Sequence, residues 1–357
     1  MKVLHITEAF EGGVIEFLRC LTNATPDIDY TIVYGRPQFF EKAKDSFPAN
    51  VEFVPWPSAG REIRPLTDIK AVRELMGFLK TKGPFDILHL HSSKAGILGR
   101  IAGMLKGYKR IIYAPHAAAF LRKDVSALTK RLYILFEQMG AIFPGKVIGV
   151  SKSEAESYQQ IGIKAGYVNN GKYYPTHHVK PPKQDNIIRI VTTGRITIQK
   201  NPTLFNEIAA RFMHNPLIQF IWVGEGPDRE KITAANITIT GWVDKARVEY
   251  ELRQADIYLS TALWEGLPYA VLEAMSMDLP LVLSSCPGNT DVLQHNVNGF
   301  LYDALDEAVQ HIEYLIAHPE NAFAMGRAGY QMLLNEFSVE KMAAGYRKLY
   351  TEMTASS

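Results

Sequence analysis

Strand-like and helix-like patterns alternate twice along this 357-residue chain, and no other feature constrains its fold as much. Successive strands separated by helices cannot close as tight hairpins. They pair side by side in a parallel sheet whose two faces the helices cover. In the first series, short β-rich runs fall at 2–7, 30–35, 51–54, 86–90, 110–115 and 146–150, with helical periodicity at about 14–24, 66–81, 94–106 and 126–140. A break follows at 168–186, where Asn169-Asn170-Gly171 and then Pro175, Pro181 and Pro182 interrupt any regular pattern. The second series has strands at Ile187–Thr193, Ile218–Val223, Ile237–Thr240, Ile257–Ser260 and Leu281–Ser284, and helices at about 201–213, 245–254, 268–277, 305–317, 320–335 and 339–353. An α/β protein is expected, with two Rossmann-like domains at 1–168 and 187–338 and a linker at 169–186. Open sheets of this kind bind ligands beyond the carboxyl ends of their strands, so the two domains are expected to face each other across a ligand cleft.

Composition narrows the class. Hydrophobic residues make up 47% and charged residues 21%, as in a soluble globular chain with sizeable cores. No uncharged apolar run is long enough to span a bilayer. The start, Met1-Lys2-Val3-Leu4-His5-Ile6-Thr7-Glu8, reads as a buried strand rather than a secretory signal. Cys20 and Cys286 lie far apart without metal-type spacing, which predicts free thiols in a reducing, cytoplasmic compartment. The net charge of +2 conceals an asymmetry: residues 1–170 carry 23 basic and 16 acidic residues, a balance of +7, and the remainder carries −5. Between 100 and 135, eight cations (Arg100, Lys106, Lys109, Arg110, Arg122, Lys123, Lys130 and Arg131) face the single acid Asp124. That bias suits an anionic partner: a phosphate-bearing acceptor, an acidic membrane surface or nucleic acid. An ordinary solvated face is the competing reading.

Three junctions between strand and helix carry candidate chemistry. The run Trp264-Glu265-Gly266-Leu267-Pro268 follows a strand and opens a helix that reaches Glu273. Pro268 suits a first helical turn, Gly266 permits close backbone approach, and the helix start with its dipole attracts an anion. Glu273 lies about 9 Å along the helix from Leu267. One carboxylate can therefore stand beside a phosphate-bound sugar while the other reaches a ribose hydroxyl. Two incidental acids on an amphipathic helix are the plainer alternative. The loop Gly194-Arg195-Ile196-Thr197-Ile198-Gln199-Lys200 places two cations five residues apart after an apolar strand, where a guanidinium fork and an ammonium can bracket a pyrophosphate. Gly12-Gly13 follows the first strand but lacks the full dinucleotide-binding glycine fingerprint.

Taken in order, these segments resemble a retaining family 4 glycosyltransferase of the GT-B fold. The resemblance also includes His116 in Ala114-Pro115-His116-Ala117, Val150-Ser151-Lys152-Ser153-Glu154, Asn170-Gly171, Val223-Gly224-Glu225-Gly226-Pro227 and Gly241-Trp242-Val243. It implies that Arg195, Lys200, Gly12, Gly13, Gly266 and Leu267 surround the donor diphosphate. Glu265 would contact the donor sugar, Glu273 would bind ribose hydroxyls and Gly241–Val243 would read the base. His116 would contact the sugar and help place the acceptor, and a terminal helix at 339–357 would cross back onto the first domain. Two departures stand out: Ala117-Ala118-Ala119 follows the histidine, and Asp291 occupies a position where glutamate is more common. The stretch His89-Leu90-His91-Ser92-Ser93-Lys94 resembles the subset that builds capsular, exopolysaccharide or O-antigen repeats. Ser92, Ser93 and Lys94 at a helix start could hold an acceptor phosphate.

The expected activity is transfer of a hexose or N-acetylhexosamine from a nucleotide-diphosphate sugar, UDP-linked by preference, to a saccharide. The acceptor is expected to be carried on polyprenyl pyrophosphate at the inner face of the cytoplasmic membrane. No cofactor or metal is expected. Asp27-Ile28-Asp29 reads as a turn rather than a metal motif, and His89 and His91 lack an evident third ligand. His177-His178 reads as incidental to the linker, and no nucleic-acid partner is expected. A GT-B nucleotide-sugar 2-epimerase and a non-catalytic sugar- or nucleic-acid-binding protein are the alternatives.

Overall fold

A computed structural model of the chain describes residues 1–36, 38, 40–60, 62–174 and 185–355. Pro175, Pro181, Pro182 and His177-His178 of the expected linker lie outside the described residues. Two compact units are present. The first comprises residues 1–121, 125–173 and 338–357, and the second comprises 122–124 and 174–337.

In the first unit the chain runs β1 (Lys2–Thr7), α1 (Gly12–Ala24), β2 (Asp29–Tyr34), α2 (Phe40–Ala43), β3 (Glu52–Pro55), α3 (Pro65–Lys82) and β4 (Ile87–His91). It continues through α4 (Ser93–Leu105), β5 (Ile111–Ala114), α5 (Ala127–Gly140), β6 (Lys146–Gly149), α6 (Lys152–Gln160) and β7 (Ala165–Tyr167). The strands pair in parallel in the order β3-β2-β1-β4-β5-β6-β7. The strand order reverses between β1 and β4, so the loops leaving those two strands flank the switch point where such sheets take ligands. Val3, Leu4, Ile6, Leu88 and Leu90 are buried, as expected for strands covered on both faces. The α6 helix and β7 are absent from the sequence reading. Ser151 caps α6 by accepting from the Glu154 backbone N–H, a Ser-x-x-Glu start that was legible but passed over.

The second unit runs β8 (Ile188–Thr193), α7 (Pro202–Ala210), β9 (Ile218–Val223), β10 (Ile237–Ile239), α8 (Lys245–Gln254), β11 (Ile257–Ser260) and α9 (Tyr269–Met275). It then forms β12 (Leu281–Ser284), α10 (Asn289–Val292), β13 (Gly299–Tyr302), α11 (Leu305–Ala317) and α12 (Pro319–Glu336). Its parallel order is β10-β9-β8-β11-β12-β13, with the reversal between β8 and β11. The sequence reading omits β13, whose four residues are too few to show a period. It also opens α9 at Pro268, which instead precedes the helix as its N-cap.

The last helix, α13 (Val339–Ala355), belongs to the first unit and packs on α1. Its approach is set at Gly171. The Val339 N–H donates to the Lys172 carbonyl at 3.1 Å, and a Cβ on Gly171 would collide with the Ser338 carbonyl and lie 2.9 Å from Met342 Cβ. On α13, Arg347 pairs with Asp27, whose carboxyl that bond holds at about 2. The first carboxylate of Asp27-Ile28-Asp29 thus anchors a helix. Gly171→Ala should destabilise the protein by about 1–3 kcal/mol through overpacking at a backbone contact. Urea unfolding that shows no loss would contradict this reading of the 171–338 contact.

Candidate functional site

The candidate donor residues of the second unit gather at its switch point. The loop after β8 holds Arg195 and Lys200, and the loop after β11 holds Glu265, Gly266 and Leu267. Lys200 Nζ lies 2.7 Å from Glu265 Oε1, with side-chain exposures of 21% and 9%, so the pair is largely withdrawn from water. Burial alone would lower the Lys200 ammonium, but the Glu265 carboxylate outweighs it and raises the group above its ordinary value.

The two loops are laced together. Gln199 donates to the Trp264 carbonyl at 2.9 Å, Leu263 N–H donates to the Gln199 carbonyl at 2.8 Å, and Thr261 Oγ1 donates to the Lys200 carbonyl at 2.6 Å. Asn201, in the left-handed region at φ 51, caps α7 and turns the chain just after Lys200. The loop after β12 closes over the other side. Gly288 sits at φ +85, and a Cβ there would come within 2.8 Å of Glu265 Cβ and 2.7 Å of the Gly266 carbonyl. Asp291 accepts from the Gly288 N–H at 3.1 Å and so holds this loop in place. Pro268, the N-cap of α9, offers its start no side-chain cap. Glu273 is half-buried on that helix, and Arg195 is exposed.

The loops after β9 and β10 adjoin the same end of the sheet. Ile196 N–H donates to the Glu225 carbonyl at 3.0 Å, and Gly224 N–H donates to Thr240 Oγ1 at 3.3 Å. Gly241 lies at φ +73, Trp242 is 70% exposed, and Val243 lines a hollow of about 410 Å³ with Thr240, Arg247 and Glu251. A flat, exposed indole beside a hollow can stack on a planar ring.

Gly12, Gly13, His116 and Ser92–Lys94 belong to the first unit. Gly12 and Gly13 are exposed at the start of α1, and Gly12 has φ +54. His116 and Ala117 both occupy the left-handed region, at φ 54 and 74, a strained backbone that its surroundings must enforce. The fully buried Glu154 supplies that restraint. Its carboxylate accepts from the Ala117 N–H at 2.7 Å, the Ala118 N–H at 3.2 Å and the Val150 N–H at 2.8 Å. No pattern in the sequence links Glu154 to a loop 37 residues upstream of it.

Two expectations meet contacts that the sequence did not reveal. Ser92, Ser93 and Lys94 do open α4, but their donors already serve other groups: Ser92 Oγ reaches Glu8 at 2.6 Å, Ser93 Oγ reaches Glu137 at 3.0 Å, and Lys94 pairs with Asp68 at 2.7 Å. Glu8 also accepts from the Ala95 N–H at 3.1 Å, so a protein carboxylate sits where a phosphate was expected. Second, His89 and His91 do have a third histidine beside them. Register pairs His5 with His89 across β1 and β4, and the three buried rings gather on one face of the sheet. Opposite strands place same-face residues side by side, so a histidine in β1 is the signal that was missed.

The basic segment also reads differently in three dimensions. Arg100 is buried against the Tyr113 ring at 4.8 Å, and Arg122 is engaged by Asp124 at 2.6 Å. Phe120 is buried, and Tyr108 and Tyr133 pack on the first unit's core. On α5 and just beyond it, Leu128, Leu132, Leu135, Phe136, Met139 and Ile142 are exposed and form one helical stripe, with the exposed Arg131 at its edge.

Known proteins resemble the chain throughout. The family model described as "Glycosyl transferase 4-like domain" matches residues 25–169, and that described as "Glycosyl transferases group 1" matches residues 188–318. A UDP-Gal:alpha-D-GlcNAc-diphosphoundecaprenol alpha-1,3-galactosyltransferase of Escherichia coli is 29% identical over 84% of this chain and 84% of its own length. An uncharacterised 41.2 kDa protein from the cps region of Klebsiella pneumoniae is 25% identical over 98% of this chain and 99% of its own length. Among solved structures, Anabaena HepE in complex with UDP and glucose superposes with a TM-score of 0.80 at 17% identity, over 99% of this chain and 100% of that one. With two parallel Rossmann-like sheets and a group 1 match on the second of them, the chain belongs to the family 4 glycosyltransferases of the GT-B fold.

Proposed function

We propose that the protein transfers a hexose or N-acetylhexosamine from a UDP-sugar to a saccharide carried on a lipid pyrophosphate, in the synthesis of a cell-surface polysaccharide. The largely buried Lys200–Glu265 pair at the switch point of the second sheet carries this reading. It puts an ammonium and a carboxylate side by side, which suits a ligand with a diphosphate next to a polyhydroxylated ring. The donor and acceptor classes are those in the printed name of the E. coli relative. Both matching family models describe glycosyl transferases, which counts against the epimerase and the non-catalytic binder.

In this reading Lys200 and Arg195 draw charge from the diphosphate as the bond between the anomeric carbon and the phosphate oxygen breaks. Glu265 fixes the sugar. The acceptor oxygen bonds to the anomeric carbon on the face the nucleotide leaves, and the departing phosphate takes the acceptor proton, so configuration is retained. Binding energy goes into positioning and charge stabilisation, with no covalent nucleophile. The two cations take the part a divalent ion plays elsewhere, so the reaction proceeds without metal.

Glu265→Gln should lower kcat by about 10²-fold or more while UDP affinity changes far less, because the lost contact matters most in the transition state. Wild-type turnover in this variant would remove Glu265 from the site. Transferase activity should also persist in excess EDTA. Loss of activity with rescue by Mn²⁺ or Mg²⁺ would overturn the metal-free mechanism.

The lipid-linked acceptor calls for a membrane, and among the described residues no helix is long and apolar enough to cross one. The stripe on α5 supplies a peripheral contact: Leu128 is 68% exposed and Ile142 is 82% exposed, with Arg131 at its edge placed for anionic headgroups. Each cation near such a surface contributes about 1 kcal/mol. Replacing Leu128, Leu135, Phe136 and Met139 with serine should release the protein from anionic vesicles. It should slow transfer to lipid-linked acceptor more than transfer to a short soluble one. Unchanged vesicle co-sedimentation would rule out α5 as the docking face.

A further inference from the structure

Three histidines of the first unit, His5, His91 and His116, form a connected chain that the transfer mechanism does not use. His116 Nε2 lies 2.9 Å from His91 Nδ1, and His91 Nε2 lies 2.8 Å from His5 Nδ1. The rings of adjacent members stand 5.0–5.1 Å apart, with Phe17 edge-on to His116 at 5.0 Å. His5 and His91 are fully buried, whereas His116 is half-buried and reaches the surface. His116 Nε2 is committed to His91, so Nδ1 is the nitrogen it can offer to a ligand.

Burial keeps these rings uncharged: His5 and His116 are pushed down to about 3 and His91 well below its ordinary value. A neutral imidazole has one N–H and one lone pair. Two ring-to-ring bonds in series therefore admit only two arrangements, since the direction of one bond fixes the other. In the first, each Nδ1–H points toward His116, which then bears its own hydrogen on Nδ1, and His5 Nε2 is a bare acceptor. In the second, every hydrogen sits on Nε2, and His5 ends in a bare N–H. Among the described residues, His5 Nε2 is buried with no hydrogen-bond partner. Buried N–H groups without partners are rarer than under-satisfied acceptors, which selects the first arrangement. The same dead end means the chain cannot pass a net proton onward; it can only order the hydrogens within it.

We propose that His5 and His91 are positioning residues that hold His116 as its Nδ1–H tautomer, so that the first unit offers a ligand oxygen a hydrogen-bond donor rather than a base. The ligand side of this inference rests on the transferase reading above; the tautomer does not. His89 stands beside the chain without joining it, its Nδ1 held 2.8 Å from the Tyr350 hydroxyl of α13. The cluster of His5, His89 and His91 could also gather a metal ion. That would require His91, both of whose nitrogens are engaged, to give up a ring-to-ring bond.

Nitrogen-15 two-bond correlation spectra of the full-length protein with ring-labelled histidine read the tautomer directly, with His116→Gln identifying its signal. The expected result is the Nδ1–H pattern for His116 and His91, unchanged from about pH 5 to pH 8 because neither ring titrates there. An Nε2–H pattern at His116 would overturn the proposal. His5→Asp puts an oxygen that only accepts in the place of Nδ1, so both ring-to-ring bonds should reverse and His116 should show the Nε2–H pattern; an unaltered pattern in the folded variant would exclude His5. His91→Leu should lower kcat by about tenfold, the worth of one hydrogen bond, with UDP affinity nearly unchanged. His91→Asn, whose amide can donate from the place of Nδ1, should restore most of the loss. Equal losses in the two variants would mean His91 only packs. Stoichiometric metal in the purified protein would replace the ordering chain with a metal site. The expected tautomer in a protein that transfers no sugar would refute the proposed function and leave the chain of histidines standing.

Discussion

Burying an ammonium beside a carboxylate is the constraint around which the second unit is organised. Removing both charges of Lys200 and Glu265 from water is costly, and the attraction between them offsets that only when the geometry is tight and neighbouring polar groups are satisfied. The surrounding loops meet that demand. Gln199 and Thr261 tie the two strand ends together, and the close approach at Gly288 leaves room for nothing larger than a hydrogen beside Glu265. A hydrophobic pair would serve stability equally well, so the pair is better explained by a charged ligand than by the fold. On the proposed reading, a site preorganised in this way loses little on reorganising when a diphosphate binds.

The first unit solves a different problem with the same economy. His116 has to stand on a left-handed turn of two non-glycine residues, which costs about 1–3 kcal/mol per residue. Glu154 meets that cost with two hydrogen bonds from the Ala117 and Ala118 N–H groups, a third from Val150 N–H fixes its own carboxylate, and the helix it belongs to is capped by Ser151 through the Glu154 N–H. The motif Val150-Ser151-Lys152-Ser153-Glu154 is thereby a device for shaping the His116 loop from another strand end.

The strands were the most legible part of the sequence, because both faces of a parallel sheet are buried and the runs are nearly all apolar. The reading lost β7 and β13 for want of length, and α6 because its polar residues obscure a helix that only its cap announces. Arg195, Lys200 and Glu265 were legible because each follows a strand at a junction, and strand order then brings those junctions together. Register and packing were not legible. Nothing local to His5 indicates that it faces His89 and His91, nothing near Ser92–Lys94 reveals the carboxylates that already occupy them, and nothing in 100–135 says that Arg100 and Phe120 point inward. Those are long-range facts, set by which strands are neighbours and which helix face meets the sheet.

The account depends on the second unit recognising phosphate charge through Lys200 and Arg195. The most direct measurement is calorimetric titration of the wild-type protein with UDP and with uridine at matched ionic strength. Charge-assisted contacts to the diphosphate predict that UDP binds at least about tenfold tighter, with the difference shrinking as salt rises. Equal affinities for the two ligands, at low and high salt alike, would contradict it.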